Sequence, residues 1–70
     1  MNRTREQVRK WAIEAIDLVN SRCCPVYVTD ATVVGRNADG RWWVADNGEE
    51  VGGLTAGQAV EVIVENLAAK

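Results

Sequence analysis

Residues 36–51, RNADGRWWVADNGEEV, decide the fold, because two turn signals enclose a strand that carries adjacent tryptophans. Residues 37–40 precede the strand and residues 46–48 follow it, and each segment joins an Asn or Asp to a glycine that accepts positive φ. Successive side chains of a strand point to opposite faces, so Trp42 and Trp43 must lie on different sides of a sheet.

The two indoles have different neighbours along this strand. Trp42 shares its face with Val44, whereas Trp43 shares its face with the small Ala45, so we expect Trp42 in the main core. Trp43 faces a partner if helices cover only one side of the sheet. It packs beneath a helix if both sides are covered.

The segments on either side of this stretch supply further strands. Residues 26–34, VYVTDATVV, are rich in β-branched and aromatic residues and predict a strand. The apolar alternation slips at residues 29–31, which we interpret as a β-bulge. Residues 49–51 form at most a short third strand, which Gly52 and Gly53 end. The prediction is a three-stranded antiparallel meander.

Capping-box patterns predict a helix before and after the sheet. Thr4 with Gln7 begins a helix that runs to about Asn20, and Thr55 with Gln58 begins the second. The predicted core stripes are Val8, Trp11, Ala12, Ala15, Ile16 and Val19 in the first helix and Ala56, Ala59, Val60, Ile63, Val64 and Leu67 in the second. Alternation at residues 60–62 also fits a strand, but the cap and the length favour a helix.

The predicted architecture is therefore a single α+β domain over residues 1–70, in the order helix, three strands, helix (αβββα). A chain of 70 residues buries only about 60% of its unfolded surface, so self-association is a reasonable expectation. Ile13 and Val62 lie off the apolar stripes of the two helices. They are the candidate contacts of a homodimer.

The chain offers little of the chemistry that enzymes use. It has no histidine, which excludes Ser-His and Cys-His nucleophiles and histidine-based metal sites. We expect no catalytic residues, no metal and no cofactor. Direct binding of nucleic acid is not expected either, because few cations surround the tryptophans.

Two adjacent cysteines, Cys23 and Cys24, stand before Pro25, which ends the first helix. Without histidine they fit neither a zinc site nor a C-x-x-C redox pair. We expect two thiols that pack as small apolar side chains between helix and strand. The alternatives are an intermolecular disulfide and a metal shared across a dimer.

The net charge of −2 is unevenly distributed, since basic residues dominate the first helix and acidic residues dominate the second half. An acidic surface attracts basic surfaces of other proteins and repels phosphate. The candidate partner-binding residues are Trp43, Asp46, Glu49, Glu50, Glu61 and Glu65. No apolar run reaches the roughly 18 residues of a membrane span, so we expect a cytoplasmic protein without a membrane partner.

Short length, acidic bias and absence of catalytic chemistry resemble the small anti-CRISPR proteins of phages. The likeness is one of profile across the whole chain and rests on no motif. It implies an inhibitor in the host cytoplasm that binds a CRISPR surveillance complex and blocks target DNA binding. The alternative function is a small homodimeric accessory or structural protein, whose exposed apolar residues pair with a second copy.

Overall fold

A computed structural model describes residues 4–68 of the chain. Within this range the elements are α1 (Arg5–Arg22), β1 (Val26–Tyr27), β2 (Thr32–Arg36), β3 (Trp42–Asp46), β4 (Glu49–Leu54) and α2 (Ala56–Ala68). The strands form one antiparallel sheet in the order β1-β2-β3-β4. The α+β class is confirmed, but the sheet has four strands where three were predicted.

The additional strand arises because residues 26–34 form a hairpin and not one bulged strand. The backbone N–H of Val28 donates to the carbonyl of Thr32 over 2.8 Å. The hydroxyl oxygen of Thr29 accepts from the N–H groups of Ala31 and Thr32 at 3.3 and 3.2 Å. Such side-chain to backbone bonds stabilise a turn. The break in the apolar alternation therefore marks a reversal of the chain, and the predicted bulge is wrong.

The β3–β4 turn follows from its Asn-Gly pair. Asn47 and Gly48 both have positive φ, 52° and 86°, which a two-residue hairpin loop requires. β4 then continues through Gly52 and Gly53 to Leu54, with a shift in register opposite the first half of β3. The glycines were predicted to end the strand. They are instead accommodated by the irregular pairing, where Gly53 adopts a φ of 70°.

Both predicted helix starts are confirmed by reciprocal capping bonds. The Thr4 hydroxyl accepts from the N–H of Gln7 at 3.0 Å, while the Gln7 side chain accepts from the N–H of Thr4 at 3.2 Å. Thr55 and Gln58 make the same exchange at 3.1 and 2.9 Å. Each exchange satisfies two backbone donors that the first turn of a helix leaves without an intrahelical partner.

α1 ends slightly later than predicted, at Arg22, where Cys23 adopts a left-handed conformation with a φ of 56°. The N–H of Cys23 donates to the carbonyl of Val19, which closes the helix. Cys23 and Cys24, at and after this cap, are both exposed free thiols. The predicted packing of these two side chains is therefore wrong.

Both helices cover the same face of the sheet. α1 packs over β1 and β2, while α2 packs over β3 and β4. The buried strand residues Thr32, Val34, Trp42 and Val44 share this face, as their cross-strand register requires. The helices contribute Val8, Ala12, Ala15, Ile16, Val19, Ala59, Ile63, Val64 and Leu67 to the same core.

Three helix residues test how well the apolar stripes predicted burial. Trp11 was assigned to the core, but 38% of its surface is exposed, and it lies in a shallow hollow beside β1, the edge strand of the sheet. Val62 was placed off the stripe, yet it is partly buried and packs against the core. Ile13 is exposed, as predicted.

The adjacent tryptophans divide between the two faces, as the sequence predicted. Trp42 is buried in the core beneath the helices. Trp43 lies half-buried on the opposite face. Its indole lies over Gly35, its neighbour on β2. We call this opposite, helix-free side of the sheet the outer face. Of the two arrangements considered for Trp43, the one with helices on a single side is observed.

The contact between Gly35 and Trp43 predicts an unequal response to alanine at two strand glycines. A Cβ on Gly35 would lie 2.4 Å from Cζ2 of Trp43, so the indole must swing away. We expect Gly35→Ala to lower the free energy of unfolding by about 1–3 kcal/mol in urea titrations and to shift tryptophan emission to the red. Gly52→Ala is the matched control, because its Cβ would meet open space. Equal losses at both positions would contradict the contact.

Candidate protein-interaction surface

The outer face carries a row of mostly apolar side chains across all four strands. Tyr27 pairs with Val33, and Val33 pairs with Ala45. Ala45 in turn pairs with Glu50 at the β4 edge. Trp43 stands on the same face, two residues before Ala45 on β3. The outer face therefore combines an aromatic platform with a carboxylate at its border.

Trp43 is held in place by the backbone beneath it. Gly35 has no side chain, so the indole can lie directly against β2, with its Cζ2, Cε2 and Nε1 atoms nearest to the glycine. One ring face is thereby occupied and the remainder of the half-buried side chain is open. A tryptophan that is already ordered loses little conformational freedom when a partner binds, which makes it a good contact residue.

Asp46, a candidate partner-binding residue, also accepts a hydrogen bond within the fold. Its Oδ1 atom accepts a hydrogen bond from the hydroxyl of Thr32 at 2.7 Å, and Thr32 is fully buried. The half-buried carboxylate also borders a polar hollow of about 430 Å³. The hollow is lined by the two hairpin turns and the end of α2, through Thr29, Asp30, Ala31, Thr32, Asp46, Asn47, Asn66 and Leu67.

Glu49 and Glu50 are both exposed at the start of β4, but they point to different faces. Glu50 pairs with Ala45 and therefore lies on the outer face, near Trp43. Glu49 pairs with Asp46 and lies on the helix-covered side, at the end of the sheet. Asp46, Glu49 and Glu50 thus surround one corner of the sheet, beside the β3–β4 turn.

Glu61 and Glu65 lie on the helix layer, away from the outer face. The Arg5 guanidinium donates to Glu65 at 3.2 Å, and the Arg9 guanidinium donates to Glu61. Both pairs are exposed, so each contributes at most about 1 kcal/mol to stability. Each carboxylate nevertheless has a cation beside it. The structure therefore places these two acids on the opposite side of the sheet from Trp43 and Glu50.

The candidate dimer contacts lie on different helices and differ in exposure. Ile13 is exposed on α1, within a shallow hollow that Glu6, Arg9, Lys10 and Glu14 complete. Val62 belongs to α2 and packs against the core.

An apolar edge formed by α1 and β1 was not predicted from the sequence. Trp11, Leu18 and Tyr27 are all exposed, and they line the same shallow hollow. Trp11 had been assigned to the core, whereas Leu18 and Tyr27 had been given no role. The seven-residue spacing of Trp11 and Leu18, which places both on one flank of α1, was the available signal.

Among residues 4–68, no group of three or more His, Cys, Asp or Glu side chains is arranged to hold a metal ion. Within the same range, neither helix combines the length and the apolar character needed to cross a membrane. Comparison of the chain with protein-family models, curated proteins and solved structures gives no match. The surface is therefore interpreted from its own residues.

The Thr32–Asp46 bond predicts that the acids near the β3–β4 turn differ in their effect on stability. Asp46→Ala leaves a buried hydroxyl without its acceptor, and we expect it to lower the free energy of unfolding by about 1–3 kcal/mol. Glu50→Ala should change it by less than about 0.5 kcal/mol, because Glu50 is exposed. Both values can be measured by urea denaturation.

Thr32→Val provides the control for this assignment. Added to Asp46→Ala, it removes the hydroxyl that was left unsatisfied, so part of the lost stability should return. Additive losses in the double variant would show that the bond is not the source of the effect.

Proposed function

We propose that the chain is a non-enzymatic interaction protein that binds a basic, nucleic-acid-binding surface of a larger protein complex. The observation that carries the proposal is the open outer face, where the ordered Trp43 lies near Glu50 without a covering helix. Glu49 and Asp46 extend the negative charge around the adjoining corner. We define these four residues as the binding surface.

The chemistry of this surface suits arginine and lysine side chains. A carboxylate such as Glu50 accepts paired hydrogen bonds from a guanidinium group. Trp43 offers an aromatic face on which the same kind of cation can stack. A partner groove that normally holds phosphates presents cations at its surface, so carboxylates at this corner can occupy positions that phosphates would otherwise take.

Glu61 and Glu65 have a smaller part in this proposal than the sequence suggested. To bind the partner, each carboxylate would have to give up its ion pair with an arginine of α1 and form another with a cation of the partner. Exchanging one exposed ion pair for another yields little net free energy. Glu49 and Glu50 have no ion-pair partner among residues 4–68, so contacts from them add new interactions.

The most specific form of the proposal is an anti-CRISPR inhibitor that binds a CRISPR surveillance complex and blocks target DNA binding. Its support is the resemblance in size, acidic bias and absent catalytic chemistry, together with the acidic corner beside Trp43. The second candidate is a homodimeric accessory or structural protein. The exposed apolar edge of α1 and β1 favours self-association, but self-association alone does not indicate what the dimer would do.

Charge reversal tests the acidic part of the binding surface. We expect the wild-type chain to displace labelled target DNA from at least one member of a panel of purified CRISPR surveillance complexes. Glu49→Lys with Glu50→Lys should weaken this displacement by about tenfold or more, and added salt should weaken the wild type, since exposed charges are screened.

The matched control is Glu6→Lys with Asp17→Lys, which makes the same change in net charge on the exposed side of α1. We expect it to compete within about threefold of the wild type, because only long-range attraction is altered. Equal weakening by both double variants would show that the effect comes from the net charge of the chain and not from the position of Glu49 and Glu50. Absence of displacement from every complex would reject the anti-CRISPR form.

Trp43→Ala tests the aromatic part of the same surface. We expect affinity for the complex from which the wild type displaces DNA to fall about tenfold or more, as at interface positions where an ordered tryptophan is truncated. Val51→Ala is the control, because Val51 is an exposed apolar residue on the helix-covered side of β4. Thermal unfolding of each variant separates loss of binding from loss of folding. If Trp43→Ala bound the partner with unchanged affinity, the indole would not be part of the binding surface.

A further inference from the structure

The edge formed by α1 and β1 holds the largest concentration of exposed apolar side chains among the described residues. Trp11 and Leu18 are each 38% exposed, and Tyr27 is 70% exposed. All three line one hollow of about 180 Å³ at this edge, with Trp11 and Leu18 in the helix layer and the Tyr27 side chain on the outer face, as its pairing with Val33 requires. Exposed apolar side chains that cluster at one edge, instead of standing singly, mark a candidate interaction site.

The backbone of β1 offers hydrogen bonds at the same edge. Val28 donates to Thr32, and Val26 pairs with Val34, so these two residues of the first hairpin face β2. Because antiparallel pairing alternates, the N–H and C=O groups of Tyr27 point away from β2. One donor and one acceptor of the same residue are therefore directed outward, beside the hollow.

Two copies of this edge are complementary to each other about a single two-fold axis. When two copies of β1 pair antiparallel about Tyr27, the outward N–H of each Tyr27 donates to the outward C=O of the other. The pair therefore makes two hydrogen bonds. The hollow also contains Glu14 and Ala15, which are the midpoint of the segment from Trp11 to Leu18. Tyr27 thus lies beside the centre of this segment, so one axis can serve both the strand and the helix.

We infer that the α1–β1 edge is the interface of a two-fold homodimer. β1 pairs antiparallel with β1 of a second copy, which joins the two sheets into one. α1 lies antiparallel to its counterpart, so that Trp11 packs against Leu18 of the partner subunit and Leu18 packs against Trp11 of the partner subunit. This is an isologous contact, in which each half of the surface recognises the other half.

The size and charge of the edge fit a reversible dimer. The exposed parts of Trp11 and Tyr27 amount to on the order of 200 Å², whereas a stable interface buries about 800 Å² on each partner. The aromatic residues are therefore only the apolar part of the interface, with Trp11 in the helix layer and Tyr27 on the outer face. Glu14 approaches its own counterpart across the axis, and this like-charge contact opposes association.

The α1–β1 edge uses the opposite flank of α1 and the edge strand β1, and it does not include Ile13 or Val62, the dimer contacts predicted from the sequence. The dimer does not depend on the proposed function. Extending the sheet through β1 leaves Trp43 and the β3–β4 corner of both copies free, so the dimer would present two binding surfaces.

Sedimentation velocity between about 5 and 500 µM tests the dimer directly, and we expect a Kd on the order of 10–100 µM. Leu18→Lys and Tyr27→Lys should each raise the Kd by about tenfold or more, because each places a charge among the apolar contacts of the interface. Glu14→Gln should lower the Kd, because the like-charge contact is removed.

The matched controls are Ile13→Lys and Val51→Lys, which change exposed apolar residues elsewhere on the surface. Both should leave the Kd within about twofold of the wild type, as expected for residues outside an interface. A second readout needs no variant: on dilution, the backbone amide resonance of Tyr27 and the indole N–H resonance of Trp11 should shift together in NMR spectra.

A chain that remains monomeric at about 500 µM would overturn the inference and leave the edge available to a foreign partner. A dimer that is insensitive to Leu18→Lys and Tyr27→Lys, or that is lost with Val51→Lys, would overturn it as well. Circular dichroism of each variant confirms that the subunit is folded.

Discussion

The packing of α1 against α2 over a single face of the sheet is the constraint on which the other features depend. Small residues such as Ala12, Ala15 and Ala59 are buried in the core, and small side chains at a contact let helices approach closely. Because both helices fit side by side above four strands, neither is left to cover the second face. The outer face is therefore left open among the described residues.

This arrangement gives the adjacent tryptophans separate roles. Trp42 fills the core beneath the helices, whereas Trp43 covers the backbone of β2 at Gly35, where no side chain is present. The acids are divided in a similar way. Glu61 and Glu65 connect α2 to the arginines of α1, while Glu49 and Glu50 remain free of ion pairs within residues 4–68.

Local chemistry in the sequence predicted the helix starts, the Asn47–Gly48 turn and the division of the tryptophans, because each depends on residues close in sequence. The turn after Val28 was missed because threonine is common in strands as well as in turns. The exposure of Trp11 could not be predicted, since an apolar stripe does not reveal where the sheet ends. The pairing of Glu61 and Glu65 involves residues from the opposite end of the described chain, and no local pattern indicates it.

The two helices that close the core are separated in sequence by the entire sheet, and this separation has a consequence during synthesis. α1 and all four strands leave the ribosome before α2 does. Until α2 follows, α1 can cover only its own half of the sheet, and Trp42 and Val44 lack their apolar cover. Transiently exposed apolar surface of this kind makes a folding intermediate prone to aggregation until the last helix docks.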